Sequence, residues 1–232
     1  MISARFIRRE QHGALLYTFW FEPERRLRFT AGQFTELTVL HAQPDNRGQM
    51  RQFSISSSPA NPHVSVTVSF PVERPSSFKQ ALLNLQPGDS VLLGESMGDF
   101  VLPKSSTPAI FIAGGVGITP ALSIAQGLLD SNSDREIGVI HAARDTATLL
   151  GQNTFRRIAR YSPLLTQSAA DWTGDVGKLS ARQLAHFITP DQRATHLLYV
   201  SGPERMVAHV SRDLAELGIA KQRIITDIFL GI

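Results

Sequence analysis

Cysteine is absent from the 232-residue sequence. Disulfides, thiolate-bound zinc and an iron-sulfur cluster held by the chain's own sulfurs are therefore excluded. A long uninterrupted apolar run is also missing, because the longest nearly uncharged stretch, Pro108 to Leu129, is broken by glycines and a proline. Arg5, Arg8 and Arg9 near the start have no apolar core behind them. With neither a spanning segment nor a leader pattern, the expectation is a cytoplasmic protein without membrane insertion. Charge of one sign is scarce too: the formal net charge is +3, spread over both halves with no basic block or stripe. Nucleic-acid binding is not expected from such a distribution, although a modestly basic face suits an acidic protein partner. No second histidine stands at metal-ligand spacing from His141, so no metal centre is expected.

What is present is globular in composition, 42% hydrophobic and 19% charged, and long enough for two domains. The hydrophobic period changes near Lys104, which divides the chain into 1–104 and 105–232. Short alternating runs at Leu15 to Phe21 and Phe34 to Leu40 read as strands of an antiparallel barrel or sandwich. Val64, Val66, Val68 and Phe70 alternate with His63, Ser65, Thr67 and Ser69, giving one core face and one polar face. Ser77 to Leu85 has helical spacing at Phe78, Leu82 and Leu85, Pro87-Gly88-Asp89 stops it, and Val91 to Leu93 resumes a strand.

Arg51-Gln52-Phe53-Ser54-Ile55-Ser56 is the chemically loaded strand of this half. Regular alternation puts Arg51, Phe53 and Ile55 on one face and Gln52, Ser54 and Ser56 on the other. An arginine offers a planar fork to phosphate, an aromatic ring offers a stacking surface, and a hydroxyl bonds a heteroaromatic nitrogen.

After Lys104, strands alternate with helices, which implies a parallel sheet with crossovers. Ala109 to Leu129 reads as strand, phosphate loop and helix. Ile110, Phe111 and Ile112 form a doubly buried strand. Gly114, Gly115 and Gly117 then let phosphates approach the main chain, and Pro120 sits in a helix's first turn, with the amides of Gly117 to Thr119 facing an anion. Ile137 to Ala142 reads as strand, Thr146 to Arg160 as largely helical, and Leu164 to Thr166 as a short strand. Leu197 to Ser201 follows as strand, Glu204 to Leu217 as helix and Ile224 to Phe229 as the closing strand. Thr119, Arg144, Ser168, Ser201 and Gly202 fall at carboxyl ends of strands, where such sheets bind ligands. His141 reads as a packed or surface histidine, Asp145 and Asp171 as surface acids, and Trp172 as packing.

Four motifs in order carry a family resemblance. Arg51-Gln52-Phe53-Ser54 resembles the flavin signature of the ferredoxin-NADP reductase superfamily, and Gly114-Gly115-Val116-Gly117-Ile118-Thr119-Pro120 resembles its nicotinamide-nucleotide loop. Gly98-Asp99-Phe100 with Leu102-Pro103 is similar to its interdomain segment. Ser201-Gly202-Pro203 is similar to its Cys-Gly-Pro motif, with serine in place of cysteine.

The resemblance implies an N-terminal antiparallel flavin-binding β-barrel at 1–104 and a parallel-sheet, Rossmann-like NAD(P)-binding domain at 105–232. It implies FAD rather than FMN, held by Arg51, Gln52, Phe53 and Ser54, with Ser54 near the reactive flavin N5. Ser77 or Ser76 is implied to bind the pyrophosphate through a helix N-terminus. NAD(P)H is implied to sit on Gly114, Gly115, Val116, Gly117, Thr119, Arg144, Ser168, Gly202 and Pro203, with Ser201 and Asp227 beside hydride transfer. Phe229 is implied either to cover the flavin or to be core of the last strand. Coenzyme choice leans to NADH, with NADPH close behind and Arg144 as the candidate 2'-phosphate ligand.

The implied activity is FAD-dependent NAD(P)H reduction of a separate carrier: a ferredoxin, a flavodoxin or an oxygenase-type acceptor. Two alternatives remain open on the sequence. One is reduction of a small acceptor such as free flavin, a quinone or a ferric chelate; the other is a non-catalytic flavin- or nucleotide-binding subunit of an electron-transfer complex.

Overall fold

The computed structural model describes residues 1–70, 75–167 and 169–229. Its first sheet is built from β1 (Ile2–His12), β2 (Leu16–Pro23), β3 (Phe34–Thr38), β4 (Met50–Ser54), β5 (Val64–Ser69) and β6 (Ser90–Met97), with helix α1 (Ser77–Asn84) between β5 and β6. The order is β4-β3-β6-β1-β2-β5, antiparallel throughout. Its two edges meet, because Ile55 bridges Val66 and the Ser56 amide donates to the Ser65 carbonyl at 2.8 Å. The sheet thus closes on itself as the expected barrel. Alternation fills its interior with Phe6, Phe19, Phe21, Leu37, Val64, Val66 and Leu93.

Most of the polar face of β5 does not meet water, Ser69 at its end being exposed. Ser65 and Thr67 are buried in a hydroxyl network: Thr67 pairs with Thr18 at 2.9 Å and donates to Ser56 at 3.3 Å, while Ser56 pairs with Ser65 at 2.8 Å. The neighbouring strand and the Ser56 to Ser58 turn cover that face, and each hydroxyl has a partner, as burial requires.

The second sheet holds β7 (Ala109–Gly114), β8 (Ile137–Ala143), β9 (Ala159–Leu165), β10 (Asp175–Val176), β11 (Leu197–Pro203) and β12 (Ile224–Phe229), all parallel, in the order β10-β9-β8-β7-β11-β12. Helices α2 (Thr119–Asp130), α3 (Gln152–Ile158), α4 (Ala181–Phe187), α5 (Pro190–Thr195) and α6 (Glu204–Glu216) connect the strands. Every residue of β7 is buried, as its unbroken apolar run requires.

The helix expected over Thr146 to Arg160 is shorter. A 3-10 turn at Thr146–Thr148, capped by Asp145, comes first, Gly151 with φ +75° interrupts it, and only then does α3 begin. Ala159 and Arg160 pair with Ile137 and Gly138 instead, so β9 starts earlier than the expected Leu164.

The barrel and the parallel sheet are joined by specific contacts. Phe100 meets Tyr199 edge-on with ring centroids 5.0 Å apart, and the Tyr199 hydroxyl donates to the Val101 carbonyl at 2.8 Å. The Ser123 hydroxyl of α2 donates to the Ser57 carbonyl at 2.7 Å, pinning the turn after β4 to the helix after the glycine loop. Among the described residues, no helix is long and apolar enough to cross a membrane.

Candidate functional site

A cavity of about 410 Å³ opens where the two sheets meet. On the barrel side it is lined by Arg51 to Ser54 of β4, Thr67 to Ser69 of β5, Phe34, Arg47, Met50 and Lys79; Val116, Asp227, Ile228 and Phe229 face them from the parallel sheet.

Arg51 dominates the barrel wall. It is 6% exposed, and its guanidinium lies 5.3 Å from the Phe78 ring centroid. Nη1 donates to the carbonyls of Arg47 at 2.7 Å and Met50 at 2.6 Å. Nε and Nη2 are buried without a hydrogen-bond partner among the described residues. A buried guanidinium with two idle donors is costly, and burial depresses its pKa while nearby Asp45 opposes that shift. The Asp45 carboxylate is 3.9 Å from Nη2, too far for a hydrogen bond. An anionic ligand that accepts from those two nitrogens resolves the deficit, so the wall fits a phosphate.

Phe53 stacks on Phe78 with centroids 5.8 Å apart, and fully buried Phe78 is anchored by the first turn of α1. Arg51 and Phe53 thus share one face of β4, as alternation predicts. Ser54 is buried and lines the cavity. Gln52 points outward enough to reach Glu36 Oε1 at 3.5 Å.

Ser76 and Ser77 do not line the cavity. The Ser76 hydroxyl caps α1 by accepting from the Lys79 amide at 3.2 Å. The Ser77 hydroxyl accepts from the Asp45 amide at 2.8 Å, and the Ser77 amide donates to Asp45 Oδ2 at 3.1 Å. Asp45 also receives Arg47 Nη2 at 2.8 Å. These bonds, Arg47's first, hold its carboxyl well below the usual range. Sequence reasoning passed over both Asp45 and Lys79. Asp45-Asn46-Arg47-Gly48 is legible as a turn, but its tie to α1 spans 32 positions.

Opposite, the glycine loop forms a 3-10 turn, Gly115–Ile118, leading into α2 with Pro120 in the first turn. Gly115 has φ +54°, a left-handed conformation that favours glycine. Fully buried His141 lies beneath it, Nε2 3.1 Å from the Gly115 carbonyl. Nε2 therefore carries the proton, and burial pushes the imidazole pKa down to about 4 against that hydrogen bond. The Thr119 hydroxyl donates to the Val116 carbonyl at 3.0 Å. Ser201 is buried and donates to the Gly117 carbonyl, and Gly202 and Pro203 lead from β11 into α6.

Ser201 is in register with Asp227, and Pro203 with Phe229. Burial raises the Asp227 carboxyl pKa, with the Ile228 amide opposing. Phe229 is half-buried and lines the cavity. Arg144 is exposed at the end of β8, its Nε 3.3 Å from Gln167 Oε1. Ser168 lies outside the described residues.

Of the sequence-predicted residues, the cavity gathers Arg51, Gln52, Phe53, Ser54, Val116, Asp227 and Phe229. Gly114, Gly115, Gly117, Thr119, Ser201, Gly202 and Pro203 build the loop framework behind Val116, and Arg144 stands apart on the sheet's rim.

Residues 111–212 match the family model described as the oxidoreductase NAD-binding domain. The flavohemoprotein of Pseudomonas putida is 30% identical over 232 residues, covering 94% of this chain and 56% of that protein. The chain spans a little over half the length of the curated relatives it matches. The flavohem-like FAD/NAD-binding domain of nitric oxide dioxygenase from Vibrio cholerae superposes with a TM-score of 0.84 at 21% identity, covering 98% of each chain. A ferredoxin NADP+ reductase from Neisseria gonorrhoeae, solved with bound FAD and NADP, gives 0.80 at 22% identity, covering 99% of this chain and 98% of that one.

Proposed function

We propose that this chain, whose fold is similar to that of the FAD/NAD-binding domain and the ferredoxin NADP+ reductase described above, is an FAD-dependent NAD(P)H oxidoreductase serving a separate one-electron carrier. Residues 1–104 are the FAD-binding unit and 105–232 the NAD(P)-binding unit. The observation that carries the reading is Arg51, buried beside the cavity with two idle donors, facing Asp227 and Phe229 across it. Bound FAD supplies the exchange between two-electron and one-electron chemistry; the protein supplies binding, orientation and polarity.

Each residue's part follows from its surroundings. Arg51 holds phosphate with its free nitrogens, while Phe53, braced by Phe78, gives the flavin a flat apolar wall. Ser54 offers a hydroxyl to a ring nitrogen from a buried position, and Phe229 excludes water on the far side. Asp227, whose carboxyl holds its proton more readily than an exposed aspartate, sits where a proton is needed close to the transfer. Ser201 acts through Gly117: it fixes the carbonyl of the loop on which the coenzyme's phosphates rest. Gly114 to Gly117, Thr119, Gly202 and Pro203 shape that seat. Fixed orientation of donor and acceptor can lower a barrier by roughly 7 to 11 kcal/mol at best.

NADH is our preferred coenzyme. Arg144 is exposed and, among the described residues, its side chain is tied only to Gln167, so Arg144→Ala should leave kcat/KM for NADH unchanged. Clear NADPH preference, lost in that variant, overturns this choice.

The acceptor in this reading is a ferredoxin or flavodoxin. An oxygenase-type or haem-bearing partner is the second reading, favoured by the similarity to proteins named flavohemoprotein. A panel of reduced-enzyme reactions separates them: ferredoxin, flavodoxin, a haem protein, and the small acceptors free flavin, quinone and ferric chelate. Fast turnover with ferredoxin or flavodoxin supports the first reading. Fast turnover with a small acceptor alone, or flavin that no coenzyme reduces, rejects it in favour of a small-acceptor reductase or a non-catalytic subunit respectively.

A further inference from the structure

The strand that feeds the glycine loop, β7, lies between β8 and β11. Its Ala113 pairs in register with His141 of β8 and with Ser201 of β11, and residues in register point to one face of a sheet. All three are buried. They form a row with a small apolar side chain in the middle and a polar one at each end. The loop leaving β7 returns over that row, and each end takes one of its carbonyls: His141 Nε2 donates to Gly115 at 3.1 Å, and the Ser201 hydroxyl donates to Gly117.

The two ties are not equivalent. Gly117 is wedged against the backbone of Ser201 and Gly202, whereas Gly115, at φ +54°, has empty space within 4 Å of where a Cβ would stand. Packing therefore does not hold Gly115 in its left-handed conformation, and the side chain that fixes its peptide is His141. No peptide bond among the described residues is cis, and in a trans peptide the carbonyl and the following N-H point opposite ways. With the Gly115 carbonyl drawn down to His141, the Val116 amide is turned away from it, and Val116 lines the cavity.

The imidazole is a costly way to fill this place. Its Nδ1 is buried without a partner among the described residues, and an unpartnered buried acceptor is unfavourable. Burial also brings the pKa down to about 4, so near neutral pH the ring is uncharged and carries its proton on Nε2. What it adds over an apolar side chain is the bond to Gly115.

We propose that His141 is a positioning residue for the nicotinamide coenzyme: from β8 it fixes the Gly115 peptide, and with it the direction of the Val116 amide, as Ser201 fixes Gly117 from β11. The inference rests on the coenzyme reading above.

The test uses the full FAD-loaded chain. Oxidised coenzyme leaves oxidised flavin unreacted, so NAD+ and NADP+ are titrated separately and Kd is read from the perturbed flavin absorbance, with KM for the reduced coenzymes measured beside it. His141→Leu, which fills the space without a donor, should raise Kd and KM by about three- to tenfold, the loss of one hydrogen bond. Its kcat should stay within about twofold, and its flavin-to-protein absorbance ratio should not change. His141→Gln, whose amide reaches about as far as Nε2, should keep Kd and KM within about twofold of the unsubstituted chain. His141→Asn, whose amide falls short of Gly115, should behave as His141→Leu. The Gln and Asn variants are both polar and differ in reach, so their comparison decides the question even if His141→Leu fails to fold. Unchanged Kd and KM in His141→Asn, or equal weakening in His141→Asn and His141→Gln, overturns the positioning role and leaves His141 as packing. An unsubstituted chain whose flavin is neither perturbed by NAD+ or NADP+ nor reduced by NADH or NADPH overturns the coenzyme reading itself.

Discussion

The hydroxyl of Ser201, at the end of β11, donates a hydrogen bond to the carbonyl of Gly117 in the loop after β7, and both residues are buried. A serine in this position is therefore a brace for the loop. Ser201→Ala leaves a buried carbonyl short of a partner, at a cost of about 1 to 3 kcal/mol. The expected result is a several-fold rise in KM for the nicotinamide coenzyme with flavin content unchanged. Steady-state kinetics beside the flavin-to-protein absorbance ratio checks both; flavin loss with an unchanged KM would contradict the assignment.

Gly117 and Gly115 should respond differently to alanine. A Cβ on Gly117 would stand 2.5 Å from the Ser201 carbonyl oxygen and 2.7 Å from the Gly202 Cα, both backbone atoms of a packed strand end. A Cβ on Gly115 meets nothing within 4 Å, and only its φ of +54° resists substitution, by about 1 to 2 kcal/mol. Thermal unfolding should rank Gly117→Ala well below Gly115→Ala, with the latter close to the parent chain.

Arg51→Ala removes the guanidinium whose Nε and Nη2 await an acceptor. Loss of a charge-assisted bond of about 1.5 to 3 kcal/mol should lower FAD affinity by one to two orders of magnitude. Coenzyme binding to the second domain should persist. Dialysis followed by flavin quantification measures the first effect, and unaltered retention would mean that Arg51 does not hold the phosphate.

His141 sets part of the acid sensitivity. Its folded pKa of about 4 lies below the 6.5 of an unfolded histidine. Between those values the unfolded chain binds a proton that the folded chain refuses, so stability falls as pH drops through this window. The loss reaches about 3 kcal/mol at its lower end. Replacing His141 with Gln should flatten the dependence of denaturant midpoint on pH between about 4 and 6.5. An equally steep profile in the variant would show that other groups govern it.

The sequence reveals what is local. Ala109 to Leu129 is legible because an unbroken apolar run, a cluster of glycines and Pro120 each point to strand, loop and helix start, and they agree. Arg51 to Ser54 is legible for its residue types, and alternation correctly joins Arg51 to Phe53, which Phe78 then supports. Asp45 and Lys79 are not legible. Each looks like an ordinary surface charge until folding brings α1 against the loop before β4. Ser65 and Thr67 look solvent-facing because alternation cannot tell a polar face that meets water from one that meets other hydroxyls. Phe229 presents two alternatives in sequence, core or cover; the register of β12 beside β11 carries it to the cavity rim.

Anaerobic mixing of the FAD-loaded chain with NADH, and separately with NADPH, is the most direct test of flavin reduction across the junction between barrel and sheet. The expected result is bleaching of the visible flavin absorbance within the time of a turnover by at least one coenzyme, slowed in Ser201→Ala. FAD that binds tightly yet stays oxidised with both coenzymes would contradict an oxidoreductase role for this cavity.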